Sequence, residues 1–159
     1  AVAVASTGDA AFEFSDGSQL IWKAHAPLRV RHDPGLRFEV HDANGRPVPL
    51  EPYMGMLSHA AVLRKDGAVF SHLHPTGNYS MAAQMSFDSK LAREDGGSSD
   101  AMPADMDHSK MHHDIPAGET VSSFTLPYEF PSAGDYRLWI QFKTGGKVLT
   151  GVFDATVAP

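Results

Sequence analysis

Three histidines flank an Asp-Gly turn signal: His59 in Leu57-Ser58-His59-Ala60, and His72 and His74 in His72-Leu73-His74-Pro75, with Asp66-Gly67 between them. Two thioethers come just before, in Pro52-Tyr53-Met54-Gly55-Met56. Neutral imidazole binds copper, zinc, nickel or iron, and an added thioether favours copper, above all Cu(I), because a polarisable sulfur matches a soft ion. Whether three rings can reach one ion depends on hairpin register. If Asp66-Gly67 is a two-residue turn, Lys65 faces Ala68, His59 lies opposite His74 and Ala61 opposite His72. All three rings then share one face, with Cβ atoms ~5 Å apart across the strands and ~7 Å apart along them, near enough for an ion bound at about 2 Å. A one-residue shift, with Gly67 as a bulge, turns His59 to the other face and dissolves the cluster.

The expected ligand set is His59, His72 and His74 with Met56 as a fourth donor. Strand parity alone sends Met56 to the face opposite His59, so its participation requires a bend, for which Gly55 is suitably placed. Met54 and Met81 are further thioethers that could join. The competing reading of a His-x-His strand is a pair of polar groups on a wet face. The third histidine across the hairpin and the adjacent methionines favour the metal.

A second cluster runs Met102, Met106, His108, Met111, His112 and His113. Soft ligands interspersed with Asp form a collecting segment that needs no fixed geometry, and these six residues are expected as auxiliary copper donors. The alternative is an acidic linker whose His and Met are incidental. An EF-hand at Asp105-Met106-Asp107 is excluded because Lys110 stands where the loop needs Gly. His25, His32 and His41 are scattered singly and are expected at the surface.

The elements that must position these residues read as strands. Phe12–Phe14, Leu20–Trp22 and Leu36–Val40 are short apolar or alternating runs, separated by Asp16-Gly17, Asp33-Pro34-Gly35 and Asn44-Gly45. LSHAAVLR and AVFSHLH flank Asp66-Gly67, and DYRLWIQFK and KVLTGVFDATV flank Gly145-Gly146, so two antiparallel hairpins are expected. Residues 88–120 hold eight acids and three bases with no strand alternation. They are expected to form a long, mobile, His/Met/Asp-rich loop. A short helix over 81–93 fits the same residues as well as a strand does. Phe12, Trp22, Phe38, Phe70, Phe124, Trp139, Phe142 and Phe153 are the expected core.

About seven to nine short strands at this spacing imply an all-β, immunoglobulin-like (cupredoxin-like) Greek-key β-sandwich in one domain over residues 1–159. Tyr136, two residues after Gly134 at a strand start, stands where such a fold places its tyrosine corner. The 159 residues are 42% hydrophobic and 20% charged, ordinary for one globular domain. A net charge of −6 without a Lys/Arg cluster disfavours nucleic acid and acidic membranes. No apolar run is long enough to span a bilayer. The absence of cysteine excludes disulfides, zinc ribbons, Cys nucleophiles and thiolate copper centres. The small-residue start AVAVASTGDA, without an initiator Met, is compatible with cleavage after an export signal, and export is an expectation on that ground. No HExxH, GxSxG, P-loop or dinucleotide fingerprint is present.

The string PYMGMLSHAAVLRKDGAVFSHLHPTGNYSMAAQ, with the later YEFPSAGDYRLWIQFKTGGKVLTGVFDATV, resembles bacterial secreted or periplasmic immunoglobulin-like proteins often associated with copper or heavy-metal handling. The resemblance rests on PYxGMxxH, HxHP and GxYRLWxQ. It implies a sandwich outside the cytoplasm with a variable, commonly His-rich loop, and singles out Met56, His59, His72 and His74.

The expected function is therefore that of a periplasmic or secreted copper-binding protein, holding Cu(I) or Cu(II) in preference to zinc and sequestering, chaperoning or transferring it. Its partners are the ion and a periplasmic or membrane copper-handling protein, and no enzymatic activity is expected. The alternatives are an accessory interaction module of a membrane complex, with structural histidines, and a copper or zinc enzyme with an open coordination position.

Overall fold

In the computed structural model, residues 1–5, 8–75, 77–78 and 121–159 are described, and they contain strands but no helix. None of their segments is therefore a helix long and apolar enough to cross a membrane. The expected loop at 88–120 and the helix-or-strand segment at 81–93 lie outside them. So do the auxiliary donors Met81, Met102, Met106, His108, Met111, His112 and His113.

The alternation read from the sequence becomes two sheets. A four-stranded sheet runs in the order β2 (Ala10–Glu13), β3 (Gln19–Trp22), β4 (Leu36–His41) and β8 (Ser123–Leu126), all antiparallel. The other sheet has six strands. It runs from β1 (Val2–Ala3) through β10 (Lys147–Val157), β9 (Gly134–Thr144), β5 (Ser58–Arg64) and β6 (Phe70–His74) to β7 (Gly77–Asn78). β1 is parallel to β10, and the other pairs are antiparallel. In chain order the strands change sheet between β1 and β2, β4 and β5, β7 and β8, and β8 and β9. The two-residue β1 and β7 were not expected, since two residues are too short to show alternation.

The faces that meet are apolar. Leu20, Trp22, Phe38, Val40 and Leu126 from one sheet, and Val62, Leu73, Leu138, Ile140, Phe142 and Phe153 from the other, are almost wholly buried. Phe153 of β10 contacts Trp22 and Phe38 of the opposite sheet, each with ring centroids 5.7 Å apart, so one aromatic ties the layers together. At the start of β9 the buried Tyr136 hydroxyl donates to the Ser132 carbonyl oxygen at 2.8 Å.

Two expected core aromatics lie elsewhere. Phe70 is 56% exposed, and Trp139 is only partly buried. Both follow from parity: Leu73 faces the core on β6 and Leu138 and Ile140 do so on β9, which turns Phe70 and Trp139 to the outer face. Phe12 is half-buried against the core.

Candidate metal centre

The outer face of the six-stranded sheet is where the histidines meet. Ala60 and Val62 claim the inner face of β5, which leaves His59, Ala61 and Leu63 on the outer one. On β6 the buried Leu73 likewise sends His72 and His74 outward. The register between the strands is Ala60↔Leu73, Ala61↔His72, Val62↔Ser71 and Leu63↔Phe70, the pairing in which the rings share a face.

The turn itself departs from the two-residue form. Arg64 N–H donates to the Val69 carbonyl, Gly67 N–H to that of Arg64, and Lys65 N–H to Asp135 of the neighbouring segment. The connection is thus four residues, 65–68. The ladder stops one pair earlier, but an even-numbered change leaves side-chain facing intact.

The rings converge. Their centroids are 5.7 Å apart for His59 and His72, 4.8 Å for His59 and His74, and 4.7 Å for His72 and His74. One nitrogen from each ring lies within 4.8 Å of the others, and this is the group of potential ligands that the described residues bring together. No carboxylate belongs to it. His59 and His74 are only 5% and 2% exposed, although they face away from the hydrophobic core. His72 Nε2 is buried without a hydrogen-bond partner. A buried ring nitrogen left unpaired costs free energy, and an ion would remove that cost.

Burial lowers the proton affinity of the two β6 histidines. Desolvation, reinforced by the His59 ring, pushes the His72 pKa down. The same desolvation, with His59 and His72 close by, takes His74 down to about 4. Both imidazoles are therefore neutral near pH 7, the state in which histidine ligates a metal.

A tight turn lies directly before β5. Tyr53 N–H donates to the Met56 carbonyl at 2.8 Å and Met56 N–H to the Tyr53 carbonyl at 3.2 Å, with Met54 and Gly55 at φ +50° and +78° between them. Two successive positive φ values in a two-residue loop define a type I′ turn. The Tyr53 carbonyl also lies 3.0 Å from His59 Nε2, and the two rings contact edge to face. Met56 sits outside β5, so strand parity does not govern it, and the bend expected at Gly55 is this turn. Met56 is half-buried, whereas Met54 is 68% exposed at the tip.

A family model matches residues 13–98 and 102–159, a span that takes in the turn, the three histidines and the terminal hairpin. The chain belongs to the DUF8832 family. That family is described as a domain of unknown function, and no curated protein and no solved structure matches the chain.

The other described histidines of this DUF8832 chain, His25, His32 and His41, stay apart from the cluster. His25 and His32 are exposed, and His41 at the end of β4 lies 3.5 Å from Glu39 Oε2. The Tyr53 carbonyl is the part of the site that sequence reasoning missed. Its only trace is a glycine two residues after Tyr53, since Met at the first turn position carries no turn signal.

Proposed function

We propose that this protein binds one copper ion on His59, His72 and His74, with Met56 as fourth donor, and stores or passes on the ion rather than transforming a substrate. One observation carries the reading: three imidazole nitrogens from two adjacent strands lie within 4.8 Å of one another, in a group of two buried histidines and one half-buried one that contains no carboxylate. An ion with metal–nitrogen bonds of about 2.0–2.1 Å needs nitrogens roughly 3.3–3.6 Å apart, so the rings close by about an ångström on loading. Small side-chain rotations supply that.

The donor set favours copper over zinc on charge as well as softness. Three neutral ligands leave the ion's own charge uncompensated, and the cost of burying charge grows as its square. A monovalent ion is thus about fourfold cheaper to bury than a divalent one. Cu(I) accepts three imidazoles or a mixed imidazole–thioether set, and Met56 is the last residue of the turn that touches His59.

We also read the topology as immunoglobulin-like. The repeated changes of sheet along the chain, the pairing of β4 with β8 and the tyrosine corner entering β9 support it. A periplasmic or secreted setting, with a copper-handling protein as partner, is supported by the sequence resemblance and by the chemistry of the ligands.

Equilibration of untagged protein with a mixture of copper, zinc and nickel, followed by desalting and elemental analysis, tests the proposal. Close to one copper per chain is expected, lost when His72→Ala and His74→Ala are combined. Unchanged copper retention in the double variant overturns it. The exposed Phe70 and Val148 favour a second reading, an interaction module, which predicts no retained metal at all.

A further inference from the structure

The type I′ turn at Tyr53–Met56 carries a residue that its backbone does not favour. Position one of such a turn requires positive φ, which Asn, Asp or Gly adopt at little cost, and here it is Met54 at φ +50°. That side chain is also 68% exposed, the most exposed of the large hydrophobic residues described. Asn would relieve both penalties at once. Methionine differs from Asn in offering a thioether, and the turn that carries it presents the Tyr53 carbonyl to His59 Nε2 at 3.0 Å.

Resting on the copper-site reading above, we propose that Met54 is a capture ligand for Cu(I): its sulfur makes first contact with an incoming complex and passes the ion to the histidine cluster. The step is ligand exchange with no change in oxidation state. The Met54 sulfur donates a lone pair to Cu(I), one donor atom of the delivering complex leaves, and ring nitrogens of the cluster then replace both the sulfur and the remaining donors. A thioether suits this work because it is uncharged, binds Cu(I) without losing a proton, and is displaced readily by several imidazoles acting together. Exposure, a penalty for an ordinary apolar residue, is here the requirement.

Two substitutions separate the sulfur from the turn. Met54→Leu removes the thioether while keeping an apolar side chain and the same backbone strain. Met54→Asn removes it and relaxes the turn. Cu(I) is supplied as its bicinchoninate complex, and transfer to the protein is followed by the loss of the chelate's absorbance in stopped flow, with affinity measured separately by equilibrium competition. Both variants are expected to keep the parental affinity and to take up Cu(I) roughly tenfold more slowly, with release to a competing chelator slowed by the same factor. Parental uptake rates in Met54→Leu overturn the capture role while leaving the copper site standing. A marked loss of equilibrium affinity in both variants also overturns it, since Met54 is then a ligand of the loaded site. Failure of the parent protein to take Cu(I) at any rate removes the copper-site reading itself and the capture role with it.

Discussion

The Tyr53 carbonyl oxygen stands 3.0 Å from His59 Nε2, and this contact selects the histidine's tautomer. A carbonyl only accepts, so Nε2 carries the proton and, in the neutral ring, Nδ1 is left with a free lone pair. The same oxygen accepts Met56 N–H at 3.2 Å, closing the turn. One atom thus joins the backbone geometry of residues 53–56 to the orientation of a ring in the cluster, the role that second partners of metal-binding histidines commonly fill.

The first prediction isolates this link. Gly55 has φ +78°, and a Cβ placed there meets nothing within 4 Å, so Gly55→Ala introduces backbone strain alone. A loss of about 1–2 kcal/mol is expected, read as a fall of a few degrees in the thermal midpoint. Gly67→Ala is the control, with φ +80° and equally open surroundings at the far end of the hairpin. Both should lose similar stability, but only Gly55→Ala should also lose copper affinity. Equal losses of affinity from the two variants would dissociate the Tyr53 carbonyl from the site.

Low pH should release a second group on the same outer face. Arg137 Nε and Nη2 donate to the Asp154 carboxylate at 2.7 and 2.8 Å, Lys65 Nζ adds a third contact at 3.2 Å, and together they hold its pKa down to about 2 from 3.8. A carboxyl depressed on folding stabilises the native state above its unfolded pKa and loses that contribution as pH falls through the folded one. Because the pair is partly solvent-exposed, the contribution is expected below about 1 kcal/mol. Urea midpoints of the parent and Asp154→Asn should differ by a constant amount from pH 7 to about 5, then converge towards pH 2.

Much of this architecture was legible because alternation is a local property. Ala60, Val62 and Leu73 face the core, so the intervening residues must face outward, and a parity-preserving connection then forces His59, His72 and His74 together. The same rule assigns Phe70 and Trp139 to the outer face, which reading them by hydrophobicity alone overlooked. The four-residue form of the 65–68 connection was not legible. It depends on Lys65 N–H finding the Asp135 carbonyl, a partner supplied by a distant stretch of chain. The Tyr53 contact was hidden for a like reason, since a backbone oxygen leaves no residue type to read.

Tyr136 offers a test of how β9 is fixed in place. Its hydroxyl donates to the Ser132 carbonyl oxygen at 2.8 Å from a fully buried position. Tyr136→Phe keeps the ring and leaves that acceptor short of a donor, so a loss of about 1–2 kcal/mol is expected. The urea midpoint should fall with the slope of the transition unchanged. Copper affinity should not move, because the corner lies at the start of β9 and the histidines lie on β5 and β6.

Ser58 should behave in the opposite sense. It adjoins His59, pairs with Phe142 of β9, and is fully buried with an Oγ that has no hydrogen-bond partner. A hydroxyl removed from water without compensation costs about 1–3 kcal/mol, whereas the methyl of alanine carries no such cost and leaves little empty volume. Ser58→Ala is therefore expected to raise the urea midpoint of metal-free protein by an amount equivalent to about 1 kcal/mol. The ring of His59 points to the other side of the strand, so copper affinity should stay at the parental value. A destabilised Ser58→Ala would mean that the hydroxyl is satisfied in solution, and a fall in copper affinity would place Ser58 among the groups that orient His59.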